Sequence, residues 1–291
     1  MKKILVTGGT GFIGSHLVKN LVKKNKIIIT GNNLENEILN VTLLNCHLNG
    51  IDYNRLGKID ICIHLAANND TISFDKKEMF MANFHAPKEF FNRILNDHKC
   101  KKIIYASSAS IYGNGNIPFV EENKPNPLSI YAESKLAFDE WILENKFPAI
   151  GLRFSNVYGP LENHKGRRAS LITKIINNLN KDKIINLFKY GEQKRDWVYV
   201  KDVIKLILIC IESNLNGIFN CGSGYATSFN EIVNISSNLL SKIPKIKYIN
   251  CPLGNNFQKN TIMSLEKSLK LGYKPSYSIE KGINHLVKTL L

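Results

Sequence analysis

A short apolar run at the start of the chain leads directly into a cluster of glycines. Lys3-Ile4-Leu5-Val6 predicts a buried β-strand, and Gly8, Gly11 and Gly14 follow it, opening a helical pattern that extends to about Val22. In a strand–turn–helix unit, such glycines permit a tight turn, close backbone approach to a pyrophosphate and close packing of helix on strand. The pattern predicts a dinucleotide site with the phosphates at the helix N-terminus. The alternative is an ordinary strand–turn–helix without a ligand.

The first half of the chain continues to alternate short apolar runs with longer helical patterns. The runs predict strands at 27–29, 41–44, 61–65, 103–106 and 150–154. Continuous apolar strands between helices indicate a parallel sheet covered on both faces. We therefore expect an α/β fold, a doubly wound parallel sheet of the Rossmann type. After Tyr158-Gly159-Pro160 the rhythm changes, which indicates a smaller α/β C-terminal domain interleaved with the first. The expected boundaries are 1–160 and 190–221 for the Rossmann domain, and 161–189 and 222–291 for the second domain.

Composition limits the classes of partner. Lys and Arg exceed Asp and Glu by 39 − 24 = 15, but the lysines are scattered rather than clustered. We expect no nucleic-acid partner, although a basic cleft for an anionic substrate is compatible with this charge. The six cysteines have no metal-ligand spacing, so we expect buried free thiols and no metal. No apolar run approaches the ~20 residues of a membrane span, and the N-terminus lacks a signal-peptide pattern. We expect a cytoplasmic protein with no membrane partner.

A tyrosine and a lysine lie one helical turn apart after the fifth predicted strand. Tyr131 and Lys135 flank Ala-Glu-Ser, and Ser108 ends the Ser107-Ser108 pair that follows that strand. The unperturbed pKa of tyrosine is about 10, so proton transfer at neutral pH needs the nearby ammonium, which can also hold a nicotinamide ribose. The serine can hydrogen-bond the reacting oxygen. These residues predict an acid/base site beside the dinucleotide.

The segment after the second predicted strand bears on the choice of cofactor. Thr30-Gly31-Asn32-Asn33 lacks the carboxylate that commonly binds the ribose 2′-hydroxyl. Cys46-His47-Leu48, after the third strand, also lacks an acidic residue. Repulsion against a 2′-phosphate is therefore absent, although no cation for it is supplied. We expect NADP or NAD, with NADP slightly favoured.

Six stretches of the chain form a recognisable set: Thr7–Gly14, His64–Ala67, Tyr105–Gly113, Tyr131–Lys135, Asn156–Pro160 and Arg195–Val203. Together they resemble the extended short-chain dehydrogenase/reductase family, the NAD-dependent epimerases and dehydratases, over nearly the whole chain. The resemblance implies a Rossmann domain with a small C-terminal substrate domain for a nucleotide sugar, nucleotide-diphosphate sugars as substrates, and homodimers or larger homo-oligomers. The cofactor-binding residues that it implies are Gly8, Gly11, Phe12, Ile13, Asn32, Leu48, Leu65, Ala66, Ala67, Asn83, Tyr131 and Lys135. The implied substrate-binding residues are Ser108, Asn156, His164, Arg195 and Tyr225. For Arg195, the alternative is a structural pair with Asp196 or Asp202.

Within this family, the run from Gly159 to Ser170 is similar to that of enzymes acting on nucleotide-activated heptoses. The resemblance implies that Lys165 is a second catalytic acid/base, facing the sugar opposite Tyr131. The alternative for Lys165, Arg167 and Arg168 is a solvated basic loop. The chain departs from that pattern at Arg167 and Arg168, which replace small or apolar residues. It departs again at Tyr225, where an arginine is usual, and at Asn32, where an aspartate is usual.

The residues after Ser108 narrow the expected reaction. Nucleotide-sugar dehydratases carry an Asp-Glu pair where this chain has Ala109-Ser110, so we do not expect dehydration. We expect a nucleotide-sugar epimerase that oxidises a hydroxyl to a ketone and reduces it again on bound NAD(P). Candidate catalytic residues are Ser108, Tyr131, Lys135 and Lys165. One alternative is an NADPH-dependent nucleotide 4-keto-sugar reductase, and another is a non-catalytic NAD(P)-sensing regulator.

Overall fold

The computed structural model describes residues 1–31, 40–251 and 257–290. Asn32, a predicted cofactor residue, lies outside these ranges. The chain divides into two units, each formed from three segments. The first unit comprises Met1–Ile111, Ser129–Arg153 and Ile204–Phe219, and the second comprises Tyr112–Leu128, Phe154–Val203 and Asn220–Leu291.

Strands and helices alternate through most of the chain. The strands are β1 Lys3–Thr7, β2 Lys26–Thr30, β3 Val41–Leu44, β4 Ile61–His64, β5 Lys102–Ser108, β6 Ala149–Phe154, β7 Asn156–Tyr158, β8 Ile185–Phe188, β9 Lys194–Tyr199, β10 Gly217–Cys221, β11 Ala226–Ser228 and β12 Ile246–Ile249. The α-helices are α1 Phe12–Leu21, α2 Lys76–Phe80, α3 Ala86–Asn96, α4 Ile130–Glu144, α5 Leu171–Asn180, α6 Val200–Glu212, α7 Phe229–Leu240, α8 Glu266–Lys270 and α9 Ile279–Leu290.

A seven-stranded sheet in the order β10-β6-β5-β4-β1-β2-β3 forms the centre of the first unit. The pairs β1–β2, β2–β3, β1–β4 and β4–β5 are parallel. The direction of winding reverses between β1 and β4, where Thr7 lies opposite His64. In open α/β sheets, ligands bind beyond the carboxyl ends of the strands at this reversal. The predicted doubly wound Rossmann fold is thus confirmed.

Aromatic side chains from two helices pack against one face of this sheet. Phe91 of α3 lies 5.2 Å from Phe138 of α4 between ring centroids, and Phe138 lies 5.3 Å from Tyr105 of β5. All three are at most 2% exposed. Burial of such large rings holds α4, and with it Tyr131 and Lys135, against the sheet.

The second unit contains two small sheets. β9 pairs in parallel with β7 and antiparallel with β11, and β8 pairs in parallel with β12. Residues 112–128, 154–160, 190–203 and 220–221, which the expected boundaries assign to the Rossmann domain, lie in this unit. For 154–160 and 190–203 the reason is that β7 and β9 pair with each other, and β9 with β11, rather than with the large sheet.

All six cysteines are free thiols, and four of them, Cys62, Cys100, Cys210 and Cys221, are buried. In the described ranges, no group of three or more His, Cys, Asp or Glu side chains could hold a metal ion. None of the helices in those ranges combines the length and the apolar character needed to cross a membrane.

Candidate active site

The glycine loop after β1 is packed so tightly that side chains are excluded. A Cβ on Gly14 would lie 2.1 Å from the carbonyl oxygen of Gly8, and a Cβ on Gly8 would lie 2.8 Å from the backbone nitrogen of Ala66. Gly8 also has a φ of +68°, a conformation that glycine adopts without strain. At Gly8 and Gly14 the chain therefore has room for glycine alone.

The first turn of α1 is suited to an anion. Gly11 is the N-cap, no side chain caps the helix, and the first turn carries no acidic residue. The N–H groups of the first helical turn and the helix dipole favour a phosphate at this position. Phe12 is buried and Ile13 is partly buried beneath the loop. The glycine loop, which has no room for side chains, and the helix N-terminus, which no side chain caps, together fit the pyrophosphate of a dinucleotide.

The segment after β4 lies beside the glycine loop. Thr7 Oγ1 is 2.8 Å from His64 Nδ1, and the backbone N–H of Ala66 donates to Thr7 Oγ1 at 3.3 Å. Burial, reinforced by the charge of Lys135, lowers the pKa of His64 to about 3. His64 is therefore a neutral partner of Thr7, and Thr7 holds Leu65 and Ala66 in place through their backbone N–H groups. Ala67 is exposed.

Asn83 is buried and hydrogen-bonded, whereas Leu48 is only partly buried. Asn83 is 2% exposed, and its Nδ2 donates to the carbonyl oxygen of Asn68 at 2.9 Å and to Ser134 Oγ at 3.1 Å. Its Oδ1 accepts from the N–H of Asn68 at 2.8 Å. These bonds fix the 65–68 segment against α4. Leu48 is partly buried in a 3₁₀ turn after β3.

Tyr131 lies in the first turn of α4 and contacts Ser108 at the end of β5. The helix begins after Ser129, whose side chain accepts from the N–H of Ala132. The Ser108 hydroxyl is hydrogen-bonded to Tyr131 and accepts from Ser110 Oγ at 2.9 Å. Burial raises the pKa of Tyr131, and the hydrogen bond with Ser108 opposes that rise. A phenol and a hydroxyl at one point can together bind a single substrate oxygen.

Lys135 lies one turn further along α4 and is 4% exposed. Its Nζ donates to the carbonyl oxygen of Ala106 at 3.0 Å. Burial lowers the pKa of Lys135 to about 8, and the charge of Asp139 opposes the fall. Because about 8 is still above neutral pH, the buried side chain is mainly an ammonium there.

Asp139, another turn along the same helix, was not predicted as a site residue. It is 1% exposed and accepts from Tyr105 at 3.0 Å, from Ser107 at 2.9 Å and from Arg153 Nε at 3.0 Å. Burial raises the pKa of Asp139, and Arg153 opposes the rise. The sequence signal was the spacing of four residues from Lys135, which places both on one face of the helix.

Lys165, in the second unit, is paired rather than solvated. Its Nζ lies 3.2 Å from a carboxylate oxygen of Glu162, and the side chain is 16% exposed. His164, the preceding residue, is exposed, as are Arg167 and Arg168. The predicted basic loop is therefore organised around one buried carboxylate, a residue that sequence reasoning missed.

Arg195 is 5% exposed, and its guanidinium donates to backbone carbonyls rather than to Asp196 or Asp202. Those carbonyls belong to Lys194, Gln258 and Lys259. Burial lowers the pKa of Arg195 to about 10. The alternative of a pair with Asp196 or Asp202 is therefore wrong.

Tyr225 and Asn156 are exposed in the second unit, Tyr225 to 79%. The loop before Tyr225 is fastened by Asp196, which accepts from the N–H groups of Ser223 at 2.7 Å and Gly224 at 3.0 Å. The structure thus brings Ser108, Tyr131 and Lys135 together in the first unit, with the glycine loop at the carboxyl ends of the same sheet. The remaining predicted substrate residues, Asn156, His164, Arg195 and Tyr225, belong with Lys165 to the second unit.

Comparisons with known proteins identify the family of this chain. The model of the NAD dependent epimerase/dehydratase family matches residues 4–222. The chain is 36% identical over 315 residues to the ADP-L-glycero-D-manno-heptose-6-epimerase of Brachyspira hyodysenteriae, covering 99% of this chain and 97% of that protein.

Two solved structures are similar over almost their whole length. The ADP-L-glycero-D-manno-heptose-6-epimerase of Helicobacter pylori has a TM-score of 0.87 and 31% identity, with 99% of this chain and 96% of that chain covered. The UDP-N-acetylglucosamine 4-epimerase of Methanobrevibacter ruminantium M1, in complex with UDP-N-acetylmuramic acid, has a TM-score of 0.92 and 27% identity, with 99% and 98% covered. On the family match and the full-length relative, the chain belongs to the NAD-dependent epimerase/dehydratase family.

Proposed function

We propose that this protein is a nucleotide-sugar epimerase that inverts one carbon through a transient ketone. The observation that carries the proposal is Tyr131, hydrogen-bonded to Ser108 and one helical turn from the buried Lys135. This arrangement can remove and return the proton of a sugar hydroxyl. Similarity over nearly the full length to proteins named as epimerases supports inversion as the outcome.

We assign the cofactor to the first unit. Gly8, Gly11, Phe12 and Ile13 would hold the pyrophosphate at the start of α1, and Leu65, Ala66, Ala67 and Leu48 would complete the dinucleotide site. Bound NAD(P) would supply a hydride acceptor for oxidation of the sugar carbon and a hydride donor for reduction of the ketone. Tyr131 and Lys135 would hold the nicotinamide ribose, while Asn83 acts by fixing the 65–68 segment.

Tyr131 acts as the first acid/base. Because burial raises the pKa of Tyr131, loss of its proton at neutral pH needs a nearby positive charge. The Lys135 ammonium provides that charge, since a cation favours the phenolate. Ser108 donates to the same substrate oxygen and so fixes the hydroxyl that reacts.

Inversion also needs a proton carrier on the other face of the ketone. Once turned over in the site, the ketone would be reduced on its opposite face, with its oxygen pointing away from Tyr131. We assign the second acid/base role to Lys165, with His164 and Asn156 binding the sugar. The similarity to heptose 6-epimerases favours C6 of an ADP-heptose, and a UDP-hexose inverted at C4 is the second candidate.

The nucleotide end is assigned to Arg195 and Tyr225. Arg195 is a buried guanidinium whose described partners are carbonyls and aromatic rings, so a diphosphate would supply it with a counter-charge. Tyr225, almost wholly exposed, offers a ring to the base.

The finer choice of cofactor remains a prediction. The absence of a carboxylate in Thr30–Asn33 removes repulsion against a 2′-phosphate, and on this ground NADP is slightly favoured over NAD. Competition between the two for cofactor-free protein, measured by calorimetry, decides between them. We further expect a cytoplasmic homodimer or larger homo-oligomer, which sedimentation of the purified protein tests.

Retention of cofactor tests the proposed reaction class. An epimerase regenerates its cofactor in every cycle, so the purified protein should carry NAD(P) and convert ADP-glycero-manno-heptose, or UDP-glucose or UDP-N-acetylglucosamine, without added NADPH. Strict dependence on one NADPH for each sugar converted would instead indicate the 4-keto-sugar reductase. Binding of cofactor with no conversion of any sugar would indicate the sensing regulator.

A further inference from the structure

One buried carboxylate organises the loop that carries Lys165. Glu162 is 1% exposed and accepts hydrogen bonds from residues on both sides of that loop. Gly159 donates its N–H at 3.2 Å, Ser170 donates its N–H at 2.7 Å and its hydroxyl at 2.8 Å, and Thr173 donates its hydroxyl at 3.0 Å. The carboxylate therefore joins the end of the preceding segment to the first turn of α5.

Lys165 is tied to Glu162 twice. Its Nζ lies 3.2 Å from Glu162 Oε2, and its backbone N–H donates to the carbonyl oxygen of Glu162 at 2.9 Å. Directly after it, Gly166 has φ +51° and ψ −121°, which interrupts the 3₁₀ segment Asn163–Arg168. Both the backbone N–H and the ammonium of Lys165 therefore bind the same buried residue, Glu162.

Most bonds of Glu162 are to neutral donors. These donors, from the buried Gly159, the partly buried Ser170 and the buried Thr173, hold the carboxylate at the start of a ten-residue helix and so keep its charge in one place. A lysine on a flexible stem gains a defined position only from such a fixed partner. The surrounding cations, Lys174, Arg167 and Arg168, lie on the same loop or on α5.

We propose that Glu162 is the positioning residue of Lys165, setting where its ammonium presents a proton to the ketone. This inference rests on the proposed function, in which Lys165 is the second acid/base. Glu162 touches neither substrate nor cofactor in this account and acts only through Lys165.

A double-mutant cycle tests the inference. Lys165→Met should lower kcat by about 10²- to 10⁴-fold, the range for a general acid/base, and leave cofactor binding unchanged. Glu162→Gln should lower kcat by about 10- to 100-fold with KM changed less than about threefold, because a misplaced acid affects the chemical step more than binding. In the Lys165→Met background, Glu162→Gln should lower kcat by less than about twofold, since residues that act as one unit are not additive.

Stability measurements separate positioning from folding. Thermal unfolding should show a loss for Glu162→Gln in both backgrounds, because the carboxylate also binds Gly159, Ser170 and Thr173, while the loss of kcat appears only when Lys165 is present. Glu266→Gln, at an exposed i,i+4 pair with Lys270 in the same unit, is the matched control and should leave kcat unchanged. If Glu162→Gln does not fold, Glu162→Asp, which keeps the charge but withdraws it by one methylene, takes its place in the cycle.

The outcomes separate the positioning role of Glu162 from the acid/base role of Lys165. An equal fall in kcat in both backgrounds would mean that Glu162 is purely structural, leaving the proposed function intact. Wild-type activity in Lys165→Met would overturn both the positioning role and the assignment of Lys165 as second acid/base.

Discussion

At the scale of single residues, three side chains of the candidate site follow one another along α4 at intervals of about one turn. Tyr131, Lys135 and Asp139 lie at i, i+4 and i+8, and Lys135 and Asp139 share the buried part of the helix with Phe138. The spacing made Tyr131 and Lys135 predictable. The bonds of Asp139 were not predictable, because Tyr105, Ser107 and Arg153 come from two strands whose register only the folded sheet defines.

Burial of Lys135 predicts a stability that depends on pH. Its pKa is about 8 in the folded protein against 10.5 for the ordinary side chain, so below pH 8 its burial as an ammonium costs about 3 kcal/mol. Replacement by methionine removes that cost and loses about 1 kcal/mol of hydrogen bonding to Ala106. Lys135→Met should therefore be inactive when cofactor is supplied. In the cofactor-free state it should be more stable than the cofactor-free wild type by about 2 kcal/mol at pH 7, measured by urea unfolding.

The sign of the pH effect is fixed by the two pKa values. Between about pH 8 and 10.5 the unfolded wild type binds more protons than the folded protein, so its stability rises with pH. The advantage of Lys135→Met should disappear across that interval. Lys101→Met, at an exposed neighbour of β5, should show no such trend. A variant that is less stable at pH 7, or a difference that is constant with pH, would contradict the burial argument.

At the scale of elements, the contact between the β1–α1 turn and the segment after β4 shapes the cofactor site. The glycine spacing and the apolar run before it predicted the β1–α1 turn, since both features are local. The sequence could not predict that the backbone of Ala66 leaves no room for a Cβ on Gly8. That close approach depends on β1 and β4 being neighbours in the sheet.

Gly14→Ala tests the packing of α1 on the glycine loop. The added methyl would lie 2.1 Å from Gly8 O and 2.8 Å from Gly9 Cα, and neither backbone atom can move without opening the turn. We expect a loss of about 1–3 kcal/mol in stability and at least tenfold weaker NAD(P) binding, measured by calorimetry. Gly50→Ala is the control, because its methyl would make an ordinary contact at 3.4 Å with Cys46. Equal behaviour of the two variants would show that the close approach does not matter.

At the scale of the whole molecule, the large sheet was predictable and the composition of the second unit was not. Alternating apolar runs and helices specify a doubly wound sheet because each βαβ step is nearly local. Residues 112–128 pair with distant segments of the chain. Phe119 forms an isolated β-bridge with Met263, and Asn220 donates from Nδ2 to the carbonyl oxygen of Phe119 at 2.9 Å. Such pairings across more than 100 residues leave no periodic signal. The assignment of sugar binding to the second unit stays a prediction.

The central claim is that one carbon is inverted by removing and returning its own hydrogen within the site. Tracing that hydrogen tests the claim most directly. The purified protein, without added cofactor, is incubated with ADP-glycero-manno-heptose, UDP-glucose or UDP-N-acetylglucosamine in D₂O, and the product is analysed by NMR and mass spectrometry. The account predicts an inverted sugar with no deuterium at the inverted carbon. Deuterium at that carbon would contradict it, because the hydrogen would then have left as a proton and not as a hydride.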